Sequence, residues 1–333
     1  MEKVITMAHG SGGRATGELI SAIFAEEFNN DVLNKMEDAA AVDGSRRIAM
    51  TTDSFVVTPV EYPGGDIGRL CVCGTVNDLL SRGAIPQYLT CGFILEEGLE
   101  VVKLKRIVHS MAETAREANV TIVAGDTKVV EGKGGLYINT AGVGFFTDAG
   151  EVSAEGAKPG DSILVSGTLG EHHATILGHR MNIENDIKSD NAPLNDIVES
   201  LLKSDVEVHV LRDVTRGGLA TVLKELAKAS GNTFVVEDEK IPVSPQVRDF
   251  CGLLGLDPYY MGNEGKIVCI VKKEDEAKAL EIMKNAKYGE DASVIGHVEA
   301  SKPNEEGSLY SMTSIGGMRN MDILQGEGLP RIC

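Results

Sequence analysis

Hydrophobic positions change their period several times along the chain. In "VVKLKRIVHSMAETAREA", Leu104, Ile107, Val108, Met111 and Ala115 recur every three or four residues, which predicts a helix with one buried stripe. Upstream, "DIGRLCVCGTVNDLLSRG" places Ile67, Leu70, Cys71, Leu79 and Leu80 at roughly helical spacing and predicts another. Before it, "RRIAMTTDSFVVTPV" is β-branched and bounded by charge and proline, so a strand is expected there, interrupted at Asp53. "VTIVAGDTKVV" and "LYINTAGVGFF" predict two strands joined by a glycine-rich turn.

The alternation breaks at "DAGEVSAEGAKPGD", a polar stretch with glycine and proline, which sets a domain boundary near residue 150. Beyond it "SILVSG", "TFVVE", "KIVCIV" and "SVIGHV" read as strands. "TRGGLATVLKELAKASG" reads as a helix closed by Gly231, with further helices near Val247–Leu254 and at "EDEAKALEIMKNA". The expected organisation is α+β: a domain over 1–150, a second over 151–318, and a flexible tail over 319–333 with no sustained period.

The length of 333 residues agrees with two domains. The net charge of −18, the absence of tryptophan and an aromatic content of 5% argue against nucleic acid and anionic membrane as partners. No apolar run reaches the roughly 18 residues a spanning helix needs. "MEKVITMAHGSGG" carries no leader-like apolar stretch, so a cytoplasmic protein is expected. The six cysteines then read as reduced thiols.

Four aspartates adjoin strand ends or glycine turns: Asp38 in "MEDAAAVDG", Asp53 in "TTDSF", Asp78 in "VNDLLSRG" and Asp126 in "AGDTKVV". Such carboxylates suit Mg²⁺, a hard cation that takes one or two of them with water and substrate phosphates. Each is also an ordinary turn or cap residue. "AHGSGGRATGELI" sets a glycine-rich loop before a helix, a phosphate cradle or a plain turn, and no P-loop occurs. Lys128 and Glu264 sit in glycine-framed turns, either as a positioned cation and general base or as a solvated pair. His172 and His173 suit a phosphate contact or a helix cap. Cys71 and Cys73, two apart on a helix, point to opposite sides and read as core thiols. The chain ends in "GEGLPRIC". Asn320 to Cys333, extended, would reach about 45 Å, enough to carry the Cys333 thiol between two places.

Together "HGSGG", "TTDSF", "VNDLL", "GDTKVV", "RDVTRGGL", "GNEGK" and the "PRIC" ending resemble the HypE family of hydrogenase expression/formation proteins along essentially the whole chain. That family is part of the PurM-like superfamily of aminoimidazole ribonucleotide (AIR) synthetase, selenophosphate synthetase and thiamine monophosphate kinase. The resemblance implies a homodimer whose N-terminal domains share a β-barrel, a C-terminal α+β domain, and ATP in the cleft between domains. It places Mg²⁺ and nucleotide at Asp38, Asp53, Asp78 and Asp126, with Gly12, Gly13 and Asn77 in nucleotide binding. Lys128 and Glu264 fall near the incoming Cys333. The implied activity is a carbamoyl dehydratase, which converts an S-carboxamide on Cys333 to a thiocyanate for the cyanide ligands of [NiFe]-hydrogenase. HypF would load the thiol and a HypC–HypD complex would take the cyanide. Two rival readings are a small-molecule kinase or synthetase of the same superfamily and a thiol metal chaperone using Cys71, Cys73 and Cys333.

Overall fold

The computed structural model describes residues 3–11, 13–36, 39–148, 150–302, 307–324 and 333. Gly12, Asp38 and residues 325–332 of the expected tail lie outside the described residues.

The N-terminal region opens with a 3-10 turn at Met7–Gly10 and α1 (Arg14–Leu19). Next come β1 (Ile48–Phe55) and a small ladder of β2 (Glu61–Tyr62) and β3 (Gly65–Asp66), then α2 (Ile67–Leu80) and β4 (Ala84–Glu96). α3 (Val101–Glu117), β5 (Thr121–Val130) and β6 (Leu136–Phe146) complete it. The sheet order is β1-β6-β4-β5, with β4 and β5 parallel and the other pairs antiparallel. α3 is the crossover that a parallel pair requires. Asp66 caps α2 by accepting the Arg69 amide at 2.9 Å.

All five residues of the predicted α3 stripe are buried. α2 is buried nearly all round, packed on α3 and on β1, β4 and β6, so Cys71 and Cys73 are both enclosed although they point to different sides. Gly68 allows the close α2–α3 crossing: a Cβ there would lie 2.2 Å from the Ile107 carbonyl oxygen. β1 runs unbroken through Asp53, which pairs in register with Thr140, so the expected interruption is absent. β5 and β6 are not neighbours, because β4 lies between them. The outer face of this sheet exposes Ile48, Met50, Ile94, Val130 and Tyr137.

The second region contains β7 (Ser162–Val165), α4 (Glu171–Met181), α5 (Asn195–Lys203), β8 (Val208–Asp213) and α6 (Gly218–Ser230). β9 (Thr233–Glu237), α7 (Pro245–Leu254), β10 (Ile267–Val271), α8 (Glu276–Asn285), β11 (Ser293–Glu299), β12 (Leu309–Met312) and β13 (Met318–Met321) follow. Its sheet runs β13-β12-β9-β11-β7-β10-β8, antiparallel except between β9 and β12. The expected α+β class holds. β13 occupies 318–321, so the chain leaves the sheet after Met321. One apolar cluster continues from Phe93, Leu70 and Leu104 through Leu194 and Ile197 to Leu211 and Ile267, joining the two regions.

Candidate functional site

β1, the end of α2, and β8 with the turn that follows it surround a cavity of about 550 Å³. Met50, Thr51, Asp78, Ser81, Asp213 and Arg216 are among its walls. Thr51 donates its hydroxyl to Asp78 at 2.8 Å. The Ser81 hydroxyl donates to Asp213 at 3.2 Å and accepts the Asp213 amide at 3.1 Å. Burial, then the charge of Asp213, pushes the Asp78 carboxyl up to about 7. Asp213 is itself raised by burial, with Arg212 opposing, and Asp53 is raised by burial against the pull of Arg216.

Glu264 belongs to the same group of acids. Full burial, followed by Asp190, Asp213 and Asp53, holds its carboxyl far above the usual range, and Arg216 opposes them. Its Oε1 is buried with no hydrogen-bond partner among the described residues. These carboxyls cling to protons because their surroundings supply too little positive charge. That chemistry fits a divalent cation. Among the described residues no three His, Cys, Asp or Glu side chains are grouped to hold a metal ion alone. An ion here would take one or two carboxylates and complete its shell with water and phosphate oxygens.

The loop carrying Glu264 is bonded on three sides. The Asn263 Oδ1 accepts the Gly170 amide at 2.7 Å, and the Asn263 backbone N–H donates to the Val214 carbonyl at 3.2 Å. His173 accepts the Gly262 amide at Nδ1, 3.2 Å, and gives its own backbone N–H to the Gly262 carbonyl. Burial lowers this imidazole to about 4, so it is neutral. Asp190 accepts the amides of Glu264 and Gly265 at 3.2 and 3.3 Å. His172, also buried, bonds Ser189 at 2.7 Å. Asn77 reaches this segment from α2: Nδ2 donates to Ala192 O at 3.0 Å, and Oδ1 accepts the Leu194 amide at 3.0 Å. Both ends of its amide are therefore engaged by main chain.

Asp126 and Lys128 stand elsewhere. They lie on β5, the sheet edge opposite β1, about 14 Å across at the usual strand spacing. Both are exposed and paired at 2.8 Å, which lowers the Asp126 carboxyl. They border a cavity of about 420 Å³ with apolar walls that include Phe24, Phe28, Met36 and Phe93. Gly10 lines it too, while Gly13 is exposed as the N-cap of α1. One chain thus brings together Asp53, Asp78 and Glu264 but keeps Asp126 and Lys128 apart from them.

Five cysteines are buried and Cys333 is half-buried, packed against the cluster that joins the two regions. Burial pushes the Cys91 and Cys269 thiols up to about 12 and Cys251 to about 11, and raises Cys71 and Cys73 further. Before the tail, the Tyr260 hydroxyl donates to Asp322 O at 3.0 Å, and the Leu324 amide to Thr221 Oγ1 at 3.3 Å, on α6, whose Val222 and Glu225 line the cleft.

Asp213, Arg216 and Asp190 were not among the residues singled out from sequence. The first two fall inside "RDVTRGGL", where a strand end followed by two glycines was an available signal. Asp190, in "SDNAPLND", had none.

Residues 36–146 match the N-terminal domain of AIR synthase related protein, and 158–306 match its C-terminal domain. A carbamoyl dehydratase HypE from Cupriavidus necator is 49% identical across 99% of this chain and 95% of its own length. The chain belongs to the HypE family of AIR synthase-related proteins. Among solved HypE structures, that of hydrogenase maturation protein HypE in complex with ATP is 46% identical, with TM-score 0.94 over 98% of this chain and 99% of that one. A HypE–HypF complex contains a chain 47% identical, with TM-score 0.80 over 92% and 99%. The motifs that suggested HypE therefore sit within a match of nearly full length.

Proposed function

We propose that this protein is an ATP-dependent carbamoyl dehydratase that acts on a carboxamide carried by its own Cys333 sulfur. One observation carries the reading in the structure: of six thiols, only that of Cys333 is not buried. A thiol that is loaded by one protein and processed in a cleft must be reachable. The bond from Leu324 to Thr221, next to the cleft-lining Val222, supports delivery there.

The chemistry follows from a poor leaving group. The carboxamide oxygen attacks the γ-phosphorus of ATP, ADP leaves, and one nitrogen proton is lost. The C–O bond then breaks to release phosphate while the second nitrogen proton departs, giving S–C≡N. Glu264 is the candidate base for these protons and must be ionised to act, which Arg216 favours and the neighbouring acids oppose. Asp53 and Asp78 would hold Mg²⁺, with Asp38 and Asp126 in the same role by family resemblance. When bound, the ion neutralises charge on the transferring phosphoryl group. Holding the thiol's cargo against the phosphate supplies proximity.

The separation of Asp126 and Lys128 from Glu264 supports a homodimer in which the exposed outer sheet faces pair. Lys128 of a second copy would then stabilise the phosphate or carbamoyl oxygen. The apolar cavity beside β5, which Gly10 lines, suits the adenine ring, with Gly12 and Gly13 in nucleotide binding by family resemblance. Asn77 would contribute by holding the 192–194 segment. In this reading 1–150 binds nucleotide and dimerises, 151–318 closes the cleft, and 319–333 carries the thiol in the cytoplasm. No helix among the described residues is long and apolar enough to cross a membrane. HypF would be the carbamoyl donor, as its complex with a HypE relative supports, and HypC–HypD the cyanide acceptor. The buried Cys71 and Cys73 give a metal chaperone no accessible thiol pair.

The test is mass analysis of the C-terminal peptide after incubation with HypF, carbamoyl phosphate and ATP. The expected product is a carbamoyl adduct on Cys333 that loses one water only with hydrolysable ATP. Cys333→Ala should still bind ATP and acquire no adduct. An unmodified Cys333 alongside ATP consumption on a free metabolite would establish the kinase reading instead.

A further inference from the structure

The Asp190 side chain is almost fully buried, and its carboxylate faces two consecutive main-chain amides rather than solvent. Those amides belong to Glu264 and Gly265, and the Ala192 amide returns a bond to Glu264 O at 3.3 Å. The fit is close: a Cβ on Gly265 would lie 2.0 Å from the Asp190 carbonyl oxygen. Lys266, next along the loop, stands 3.6 Å from the same carboxylate. A carboxylate so placed fixes the backbone on both sides of the Glu264 Cα.

The 190–194 segment is no helix or strand until α5 begins, so something else must fix Asp190. Asn77 does so through Ala192 and Leu194, and Arg69 through a 2.9 Å bond from Nε to Asn191 O. Both come from α2. The residue after Asn77 is Asp78, whose side chain lines the cleft. Adjacent residues of one rigid helix therefore set the cleft wall and the support beneath Glu264.

We propose that Asp190, anchored through Asn77 to α2, is the positioning residue that keeps Glu264 in register with the cleft. This rests on the reading that Glu264 takes part in dehydration. Misplacing a reacting group by an ångström can reduce a rate about 100-fold. Asp190→Ala should lower conversion of carbamoylated Cys333 to thiocyanate by about 10- to 100-fold, leaving ATP affinity and the loading of Cys333 by HypF within about twofold. Asp190→Asn keeps one acceptor oxygen and should recover part of the loss. Amide exchange of a peptide spanning 262–266 should speed up in Asp190→Ala, and likewise in Asn77→Leu, in the full-length protein with unfolding midpoints checked. Conversion by Asp190→Ala within threefold of the parent, or unchanged exchange at 262–266, would overturn the proposal. Glu264→Gln separates the two ideas. Full turnover by that variant would remove Glu264 from the chemistry, while the exchange data would still decide whether Asp190 holds the loop.

Discussion

Replacing Asp78 by Asn should make the metal-free, nucleotide-free protein more stable at pH 8. Asp78 keeps its proton up to about pH 7 in the fold, because it is buried beside Asp213 and Asp53. In the unfolded chain it releases that proton near pH 3.9. Its contribution is fully present below the unfolded value and is lost as pH rises through the folded one. Each pH step between the two removes about 1.4 kcal/mol, so the whole interval amounts to on the order of 4 kcal/mol. Asparagine stays neutral at every pH and can still accept the Thr51 hydroxyl. The gain is an upper bound, since relieving one acid also relieves its neighbours. Urea unfolding in EDTA from pH 5 to 8 would measure it. The expected result is a gap in favour of Asp78→Asn that widens with pH and levels off above about 7, reversed once Mg²⁺ and ATP are present. Parallel pH dependences for the two proteins, or a less stable variant at pH 8, would refute the account.

Two further outcomes follow from packing. Gly68→Ala forces α2 away from the Ile107 carbonyl and should cost about 1–3 kcal/mol, seen as a lower urea midpoint; an unchanged midpoint would mean that the helices separate freely. Ile94→Asp, on the exposed outer face of the N-terminal sheet, should leave the monomer folded but yield a monomeric mass by light scattering; a dimeric mass would place the interface elsewhere.

The α3 helix was legible because one stripe is buried and the opposite face is wet, so burial wrote a helical period into the sequence. β4, the long strand at the middle of the N-terminal sheet, was not. Pro86 interrupts its run, and the structure accommodates it with a shift of register between Pro86 and Tyr88. At the site, Asp53 and Asp78 stood out through their glycine and strand-end settings. Asp190 did not, because its role arises only when a loop without periodicity lies against another some seventy residues away in sequence. Nor does spacing along the chain disclose that Lys128 and Glu264 are apart within one copy. Strand order places β4 and β6 between β5, which carries Lys128, and β1, whose Asp53 acts on Glu264.

The unequal burial of the six cysteines has a practical side. A thiol reacts as thiolate, and burial withholds that form from Cys71, Cys73, Cys91, Cys251 and Cys269. The native chain is therefore expected to react with electrophiles first at Cys333. A maleimide fluorophore added to the folded protein would label the tail selectively, with no cysteine removed by mutation. The labelled sulfur can no longer take up a carbamoyl group, so the probe would report where the tail rests, with and without nucleotide, in an otherwise unaltered sequence.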